Sequence, residues 1–313
     1  MNPNLAEVLR ERPVVLDGGF ATQLERRGHN LSDTLWSARL LLEDADAIVA
    51  AHADFFAAGA EVAITASYQV SASGFQAQGL DHADYVRALQ DSVTLARRAA
   101  DSFDDGRPRW VAASVGPYGA ARADGSEYRG DYDLDVAGLR AWHRPRLELL
   151  AAAGADLLAI ETIPSLAEVE AVLTEVAALG VPAWLSLTAD GARTRRGESL
   201  REAFSMAAEV PGLVAVGANC CDPDALDAVL AAAEGIGLPV LFYPNSGEVW
   251  DAARRVWTGS PTVGNLGAGW VQQGVRLVGG CCRVTPDQIG AIAASLSYRA
   301  QRWYDQLTGR PSA

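Results

Sequence analysis

The chain has 313 residues, 49% of them hydrophobic, with a formal net charge of −13 and an isoelectric point near 4.7. The negative charge repels a phosphate backbone, so the composition argues against a nucleic acid as a partner. The N-terminal segment lacks the basic and then apolar pattern of a signal peptide, and the apolar stretch 147–160 is interrupted by charged residues and glycine. We therefore expect a cytoplasmic protein that acts on small molecules and does not span a membrane.

Short apolar runs alternate with longer amphipathic segments along the chain. Eight of these runs are predicted to be buried parallel strands. They are Val14–Asp17, Glu61–Ser67, Trp110–Val115, Asp156–Thr162, Ala183–Thr188, Leu213–Asn219, Pro239–Asn245 and Arg276–Cys281. Eight β/α units predict an α/β protein with a single (β/α)₈ barrel domain over residues 1–313. An open doubly wound sheet is the alternative, but Gly18-Gly19 after the first strand does not match its usual glycine fingerprint.

The active site of such a barrel lies at the C-terminal ends of the strands, so the residues there are the candidates for chemistry. Cys220 and Cys221 follow the sixth predicted strand, and Cys281 and Cys282 end the eighth, which puts all four cysteines at one rim. Thiolates that converge from two strands suit a tetrahedral zinc site with one position open. The alternatives are buried small hydrophobic residues or a redox-active vicinal pair. Strand alternation leaves the choice between Cys220 and Cys221 open.

Two carboxylates also follow buried strands, Asp17 after the first and Glu161 near the end of the fourth. Asp17 could cap the next helix, or it could hold an ammonium group while Gly18 and Gly19 let backbone N–H groups approach a carboxylate. The two carboxylates could act as an acid and a base, as in glycosidases, or together bind a cationic group. The neighbouring cysteines favour the binding of a cation.

Two long polar segments, 71–85 and 116–135, follow the second and third predicted strands. They are predicted to be lids over the barrel mouth, with ordinary surface loops as the alternative. Trp36 and Trp250 lie near strand-end loops and are candidates for a pocket that binds a cation.

Six short segments, all close to predicted strand ends, carry a resemblance to a known family. They are Leu16–Gly19, Thr65–Gln69, Ile160–Thr162, Gly217–Cys220, Tyr243–Glu248 and Gly279–Cys282. The order of Gly-x-Asn-Cys followed by Gly-Gly-Cys-Cys is highly specific. The chain resembles the homocysteine S-methyltransferase family, in particular its members that use S-methylmethionine or S-adenosylmethionine.

The resemblance implies a (β/α)₈ barrel that binds Zn²⁺ through Cys220, Cys281 and Cys282, which make up the catalytic centre, and it makes Cys221 an additional cysteine outside the ligand set. It also implies a set of substrate-binding residues, namely Asp17, Gly18, Gly19, Tyr68, Glu161 and Asn245. In this set the two carboxylates and the glycine backbone hold the amino-acid part of homocysteine. The aromatic ring faces zinc or the methyl donor, and the asparagine lines the same mouth.

The activity that the resemblance implies is methyl transfer from a sulfonium donor to the thiolate of homocysteine, which gives methionine. Betaine-using relatives tend to carry a longer C-terminal extension, and folate- or cobalamin-using relatives carry extra modules, so we expect the sulfonium donor. The alternatives are a selenocysteine or other small-thiol methyltransferase, a barrel hydrolase, and a non-catalytic zinc or thiol sensor. A monomer or a homodimer is expected.

Overall fold

The computed structural model describes residues 2–31, 37–251 and 256–296. Eight parallel strands with helices between them confirm the predicted (β/α)₈ barrel. The strands are β1 (Val14–Val15), β2 (Val62–Ile64), β3 (Trp110–Val115), β4 (Leu157–Ile163), β5 (Ala183–Leu187), β6 (Leu213–Asn219), β7 (Val240–Tyr243) and β8 (Val275–Val278). All eight predicted strands are present, and their bounds differ from the predicted ones by a few residues at most. The prediction that residues 1–313 are one domain stays a prediction.

The strands are hydrogen-bonded in the order β1, β8, β7, β6, β5, β4, β3 and β2. An isolated parallel bridge between Leu16 and Val62 joins the two ends of this order. Beside it, the Asp17 N–H donates to Val62 O at 3.1 Å, and the Glu61 N–H donates to Val15 O at 2.8 Å. The sheet therefore closes on itself, and the C-terminal ends of all its strands surround one mouth.

Helices follow every strand and cover the outside of the sheet, and one more helix precedes the first strand and packs against the residues inside the barrel. They are α1 (Leu5–Glu11), α2 (Phe20–Arg26), α3 (Ser37–Glu43), α4 (Ala45–Ala58), α5 (Ala72–Ala77), α6 (His82–Asp101), α7 (Tyr118–Arg122), α8 (Val136–Ala152), α9 (Leu166–Leu179), α10 (Leu200–Ala208), α11 (Leu226–Ala233), α12 (Val263–Gln272) and a last helical run over 286–296. Side-chain caps stabilise the N-termini of several helices. At the start of α6, for example, Asp81 and Asp84 form a capping box. Within the described ranges, no helix is both long and apolar enough to cross a bilayer.

Four short strands outside the barrel form two antiparallel hairpins. One pairs Ala189–Asp190 with Arg193–Thr194, and the other pairs Val249–Asp251 with Val256–Thr258. Two single turns of 3₁₀ helix, Ser126–Tyr128 and Pro223–Ala225, lie in the connections after β3 and β6. The first of these turns matters for the site described below.

Alternation along the strands separates two apolar layers. In β4, Leu157 and Ala159 point into the barrel, whereas Leu158 and Ile160 pack against the outer helices. The same alternation turns Glu161, the next residue of the inward set, toward the barrel axis. Large side chains such as Trp110 and Trp184 fill the interior. The C-terminal mouth, in contrast, contains a cavity.

Arg146 of α8 ties two strand ends to the helical layer. It is buried, and its guanidinium donates to Gly116 O at 3.0 Å, to Ser67 O at 3.0 Å and to Tyr68 O at 2.7 Å. These carbonyls belong to the chain just beyond β2 and β3. The Ser67 carbonyl also accepts from the Val70 N–H at 3.1 Å, whereas those of Gly116 and Tyr68 take their hydrogen bonds from Arg146. One cation therefore holds the connections that follow β2 and β3 to the same helix.

We expect Arg146→Met to lower the free energy of unfolding by about 2 kcal/mol or more, because the buried carbonyls of Gly116 and Tyr68 lose their donor at a cost of roughly 1 kcal/mol or more each. Denaturant unfolding followed by circular dichroism measures this loss. Arg122→Met is the control, since Arg122 makes only an exposed ion pair with Asp124 at 3.3 Å. Equal unfolding free energies for the two variants would contradict the role of Arg146.

Candidate active site

The barrel mouth contains a cavity whose walls come from the ends of six strands and from one long connection. Predicted residues in these walls are Gly18, Gly19, Tyr68, Glu161, Cys220, Cys281 and Cys282. Other residues in the walls are Phe20, Thr22, Ile64, Gln69, Glu127, Tyr128, Thr162, Asn219 and Tyr243. Asp17 and Asn245 are not in the walls but contact residues that are. The structure thus brings the predicted residues to one place.

Three of the four cysteines converge in this cavity. The sulfurs of Cys220, Cys281 and Cys282 lie within 4.8 Å of one another, and those of Cys220 and Cys282 are 3.6 Å apart. Zinc–sulfur bonds of about 2.3 Å in a tetrahedron place two sulfurs roughly 3.8 Å apart, so the observed spacing fits a zinc ion. Cys221 lies instead in the apolar layer between the sheet and the helices. All four cysteines follow strand ends at the same rim, but only three of their side chains enter the cavity.

Backbone geometry explains why neighbouring cysteines separate. Cys220 has a φ of +50°, and Thr162 beside it has a φ of +61°, a conformation that costs a β-branched residue free energy. Asn219 at the end of β6 links these two positions. Its Oδ1 accepts from the Thr162 N–H and its Nδ2 donates to Thr162 Oγ1, each at 2.8 Å. The Cys220 N–H donates to Tyr243 O at 3.3 Å. The bend after β6 thus directs the Cys220 sulfur into the cavity.

The other two cysteines are held by the chain that follows β7. The Cys281 N–H donates to Pro244 O at 2.7 Å, and the Cys282 N–H donates to Asn245 Oδ1 at 3.2 Å. The Asn245 N–H in turn donates to Cys221 O at 2.9 Å. The Asn245 side chain therefore positions Cys282 from behind the wall, which the sequence could not distinguish from direct contact with a ligand.

Gly19 makes a close approach to the cysteine loop. A Cβ atom at Gly19 would lie 2.7 Å from Cys281 O and 3.1 Å from the Arg283 nitrogen. The Gly19 N–H donates to Val284 O at 2.8 Å, so it is already engaged within the protein. Of the two glycine N–H groups predicted to meet a carboxylate, that of Gly18 is the better candidate.

Glu161 is a buried carboxylate with two donors. Ser114 Oγ donates to its Oε1, and the Tyr243 hydroxyl donates to its Oε2 at 3.1 Å. Burial raises the pKa of Glu161 to about 7, although both donors oppose this shift. The carboxyl group is therefore ready to become charged when a cation binds beside it.

Asp17 lies deeper than Glu161. Its Oδ2 accepts from the Ile64 N–H at 2.8 Å, whereas its buried Oδ1 has no hydrogen-bond partner among the described residues. Burial raises the pKa of Asp17 well above its usual value, and the nearby Glu161 adds to this rise. The donors that these two carboxyl groups have, the Ile64 N–H, Ser114 Oγ and the Tyr243 hydroxyl, are all neutral, so a cationic ligand group would compensate their buried charge.

The three thiols influence one another. Hydrogen bonds from Cys220 and Cys281 lower the pKa of Cys282, whereas hydrogen bonds with Cys220 and Cys282 raise that of Cys281. Burial raises the pKa of Cys221 to about 12, as expected for a thiol in an apolar layer.

Of the two predicted lids, only 116–135 covers the cavity. Its 3₁₀ turn Ser126–Tyr128 brings Glu127 and Tyr128 into the walls, and the Tyr128 hydroxyl lies 3.2 Å from the Cys220 sulfur. The segment 71–85 instead forms α5 and the start of α6. Trp36 and the side chain of Trp250 lie outside the described residues.

The fold and the thiol cluster define a (β/α)₈ barrel with three thiols placed so that they could hold one metal ion. The sequence profile of the homocysteine S-methyltransferase family matches residues 14–296, and the chain belongs to this family. A homocysteine S-methyltransferase of Escherichia coli (strain K12) is 43% identical over 304 residues, which cover 94% of this chain and 98% of that protein. A selenocysteine Se-methyltransferase of Brassica oleracea var. italica is 39% identical over 321 residues, with 95% and 93% covered.

A solved structure agrees with this assignment. The metallated form of the homocysteine methyltransferase MmuM from Escherichia coli superposes with a TM-score of 0.84 at 42% identity, and the match covers 94% of this chain and 99% of that one. The chain is therefore an enzyme of the methyltransferase class. The alternative of a non-catalytic sensor does not fit this family.

The raised pKa of Glu161 makes stability depend on pH. The native state keeps a proton on Glu161 up to a pH of about 7, whereas an unfolded glutamate loses it near 4.5. The folded pKa lies above the unfolded one, so this contribution to stability is complete below pH 4.5 and is lost as the pH rises toward 7. For the metal-free protein in reductant, the loss over this range is of order 3 kcal/mol.

Glu161→Gln is expected to flatten this dependence, because an amide does not titrate. Denaturant unfolding at pH 5 and pH 8 measures it, with the exposed Glu148→Gln in α8 as control. Asp17 titrates in the same direction, so part of the slope remains in the variant. An unchanged slope in Glu161→Gln would contradict the assignment.

Proposed function

We propose that the chain transfers a methyl group from a sulfonium donor, S-methylmethionine or S-adenosylmethionine, to the thiolate of homocysteine in a zinc-dependent reaction that yields methionine. One observation carries this proposal. The sulfurs of Cys220, Cys281 and Cys282 lie within 4.8 Å of one another in the same cavity as the buried carboxylate of Glu161. A site for a soft metal and a site for an ammonium group are the two things that an amino acid with a thiol requires.

Zinc is the metal that best fits the donor set. Three thiolates are soft ligands, their spacing agrees with tetrahedral zinc–sulfur bonds, and a cluster of three leaves one position for an added sulfur. When bound, zinc supplies a Lewis acid that lowers the pKa of a substrate thiol. We assign Cys220, Cys281 and Cys282 as its ligands and leave Cys221 outside the set.

The acceptor's amino-acid group is assigned to the floor of the cavity. Glu161 and Asp17 provide negative charge for its ammonium group, and the Gly18 N–H faces its carboxylate. Tyr68 forms part of the wall on the donor side. Asn245 acts through Cys282, whose N–H it binds at 3.2 Å.

The chemical step is a single in-line displacement. A lone pair of the homocysteine thiolate forms a bond to the methyl carbon while the bond from that carbon to the sulfonium sulfur breaks. The bonding electron pair stays on the donor sulfur, which becomes a neutral thioether, and the thiol proton leaves before the transfer. The protein contributes chiefly by holding the two sulfurs in line and by excluding water from the cavity.

Selenocysteine or another small thiol or selenol is the second candidate acceptor. The Brassica oleracea relative that is named a selenocysteine Se-methyltransferase is 39% identical to this chain. The same cavity would serve a selenolate, since selenium is also a soft ligand. The state of assembly, a monomer or a homodimer, stays a prediction.

Single cysteine variants test the ligand assignment. We expect Cys220→Ser, Cys281→Ser and Cys282→Ser each to lose bound zinc, because a missing thiolate leaves only two soft ligands. Cys221→Ser, the matched control next to Cys220, is expected to keep it. Metal content of the purified proteins by plasma mass spectrometry gives the answer. Zinc loss from Cys221→Ser equal to that from Cys220→Ser would refute the assignment.

A donor panel tests the reaction. With homocysteine as acceptor, we expect methionine from S-methylmethionine or S-adenosylmethionine and none from betaine, as detected by chromatography. Chelation should abolish turnover, and added zinc should restore it. Full turnover by the zinc-free protein would exclude the proposed mechanism, and hydrolysis that survives chelation would instead favour the barrel hydrolase.

A further inference from the structure

Glu127 enters the cavity from a different direction than the residues at the strand ends. It lies in the 3₁₀ turn Ser126–Tyr128 of the long connection between β3 and α8, and it forms part of the cavity wall. Its neighbour Tyr128 contacts the Cys220 sulfur through its hydroxyl at 3.2 Å. Glu127 therefore lies in the same cavity as the thiol cluster, on the segment 116–135 that covers it.

The turn that carries Glu127 rests tightly on the structure below it. A Cβ atom at Gly119 would lie 2.4 Å from the Glu127 nitrogen and 2.6 Å from Ser126 C, so only glycine allows this contact with α7. The Ser126 hydroxyl donates to Gly119 O at 3.4 Å, and the Ser126 N–H donates to Asp124 Oδ1 at 2.9 Å. The position of Glu127 is thus determined by backbone packing rather than by a flexible surface loop.

One oxygen of the Glu127 carboxylate, Oε2, is buried without a hydrogen-bond donor in the described part of the chain. Glu161 on the cavity floor is different, because both of its oxygens accept hydrogen bonds, from Ser114 and Tyr243. A shielded carboxylate oxygen without a donor is unfavourable unless a ligand provides one.

The two carboxylates are therefore suited to two different ligands. Glu161 lies at the end of β4 on the cavity floor, where the proposed function puts homocysteine. Glu127 lies on the covering segment next to Tyr128, which is 40% exposed and so marks the open side of the cavity. A second substrate must reach the thiol cluster from that open side.

We propose that Glu127 binds the α-ammonium group of the methyl donor and so selects a sulfonium that is also an amino acid. This inference rests on the proposed function. The ammonium is favoured over the sulfonium because its charge persists through the reaction, whereas the sulfonium charge disappears on transfer. A carboxylate at the sulfonium would stabilise the ground state more than the transition state and slow the step.

Glu127→Gln tests the inference with S-methylmethionine and with its desamino analogue, 4-(dimethylsulfonio)butanoate, as donors. The variant should raise the KM for S-methylmethionine by about 10- to 100-fold, the range expected for losing a charged hydrogen bond. Because the contact is the same in ground and transition states, kcat should change little, and the KM for homocysteine should not change. With the desamino analogue, wild type and variant should have equal KM values.

Two controls separate this effect from others. Asp133→Asn removes the same charge from the same connection at an exposed position outside the cavity wall, and it should leave all constants unchanged. Glu127→Asp, together with thermal unfolding and zinc content of each variant, shows whether a loss reflects misfolding. A shorter carboxylate should restore part of the affinity for S-methylmethionine.

The outcomes are distinct. An unchanged KM for S-methylmethionine in Glu127→Gln, or an equal loss with the desamino analogue, would overturn the inference while leaving the proposed function intact. A fall in kcat with unchanged KM would also overturn it, because that pattern belongs to a group acting in the transition state. A folded, zinc-containing wild type that forms no methionine from S-methylmethionine would overturn both.

Discussion

The hydrogen bonds between Asn219 and Thr162 hold together the two strand ends on which the site depends. Asn219 uses its amide oxygen and nitrogen on Thr162, each at 2.8 Å, and its Oδ1 also accepts from Ser186 Oγ at 2.7 Å. The left-handed backbone at Thr162 and Cys220 costs of order 1–3 kcal/mol per residue, which this network offsets. Without it the chain after β6 would relax, and Cys220 would no longer meet Cys282.

The barrel could be predicted from the sequence because its signals are local and repeated. Each apolar run is long enough to form a strand, and each is followed by a helical pattern. The strand bounds follow less directly from the sequence, since Leu16 and Asp17 lie outside β1 and yet hydrogen-bond to Val278 O and Val62 O on the neighbouring strands. Closure of the sheet is a long-range event that residue patterns near β1 and β2 do not encode.

The candidate site could be predicted only where it follows the strand ends. Cys220, Cys281 and Glu161 all do so, and the structure brings them into one cavity. Glu127 belongs to a turn inside a long connection, and a lone glutamate there looks like any surface residue. Asn245 could be placed near the site because it follows a predicted strand. Its contact with the Cys282 N–H depends on how the chain after β7 meets the chain after β8, and alternation along one strand does not predict this.

The close packing of Gly19 against the cysteine loop has a thermodynamic consequence. Gly19 sits beside Cys281 O, and its N–H donates to Val284 O, so the loop after β1 and the loop after β8 share one surface. Whatever orders one loop lowers the entropic cost of ordering the other. Under the proposed function, binding of zinc and binding of homocysteine are then linked equilibria, in which each ligand would raise the affinity for the other by the same factor.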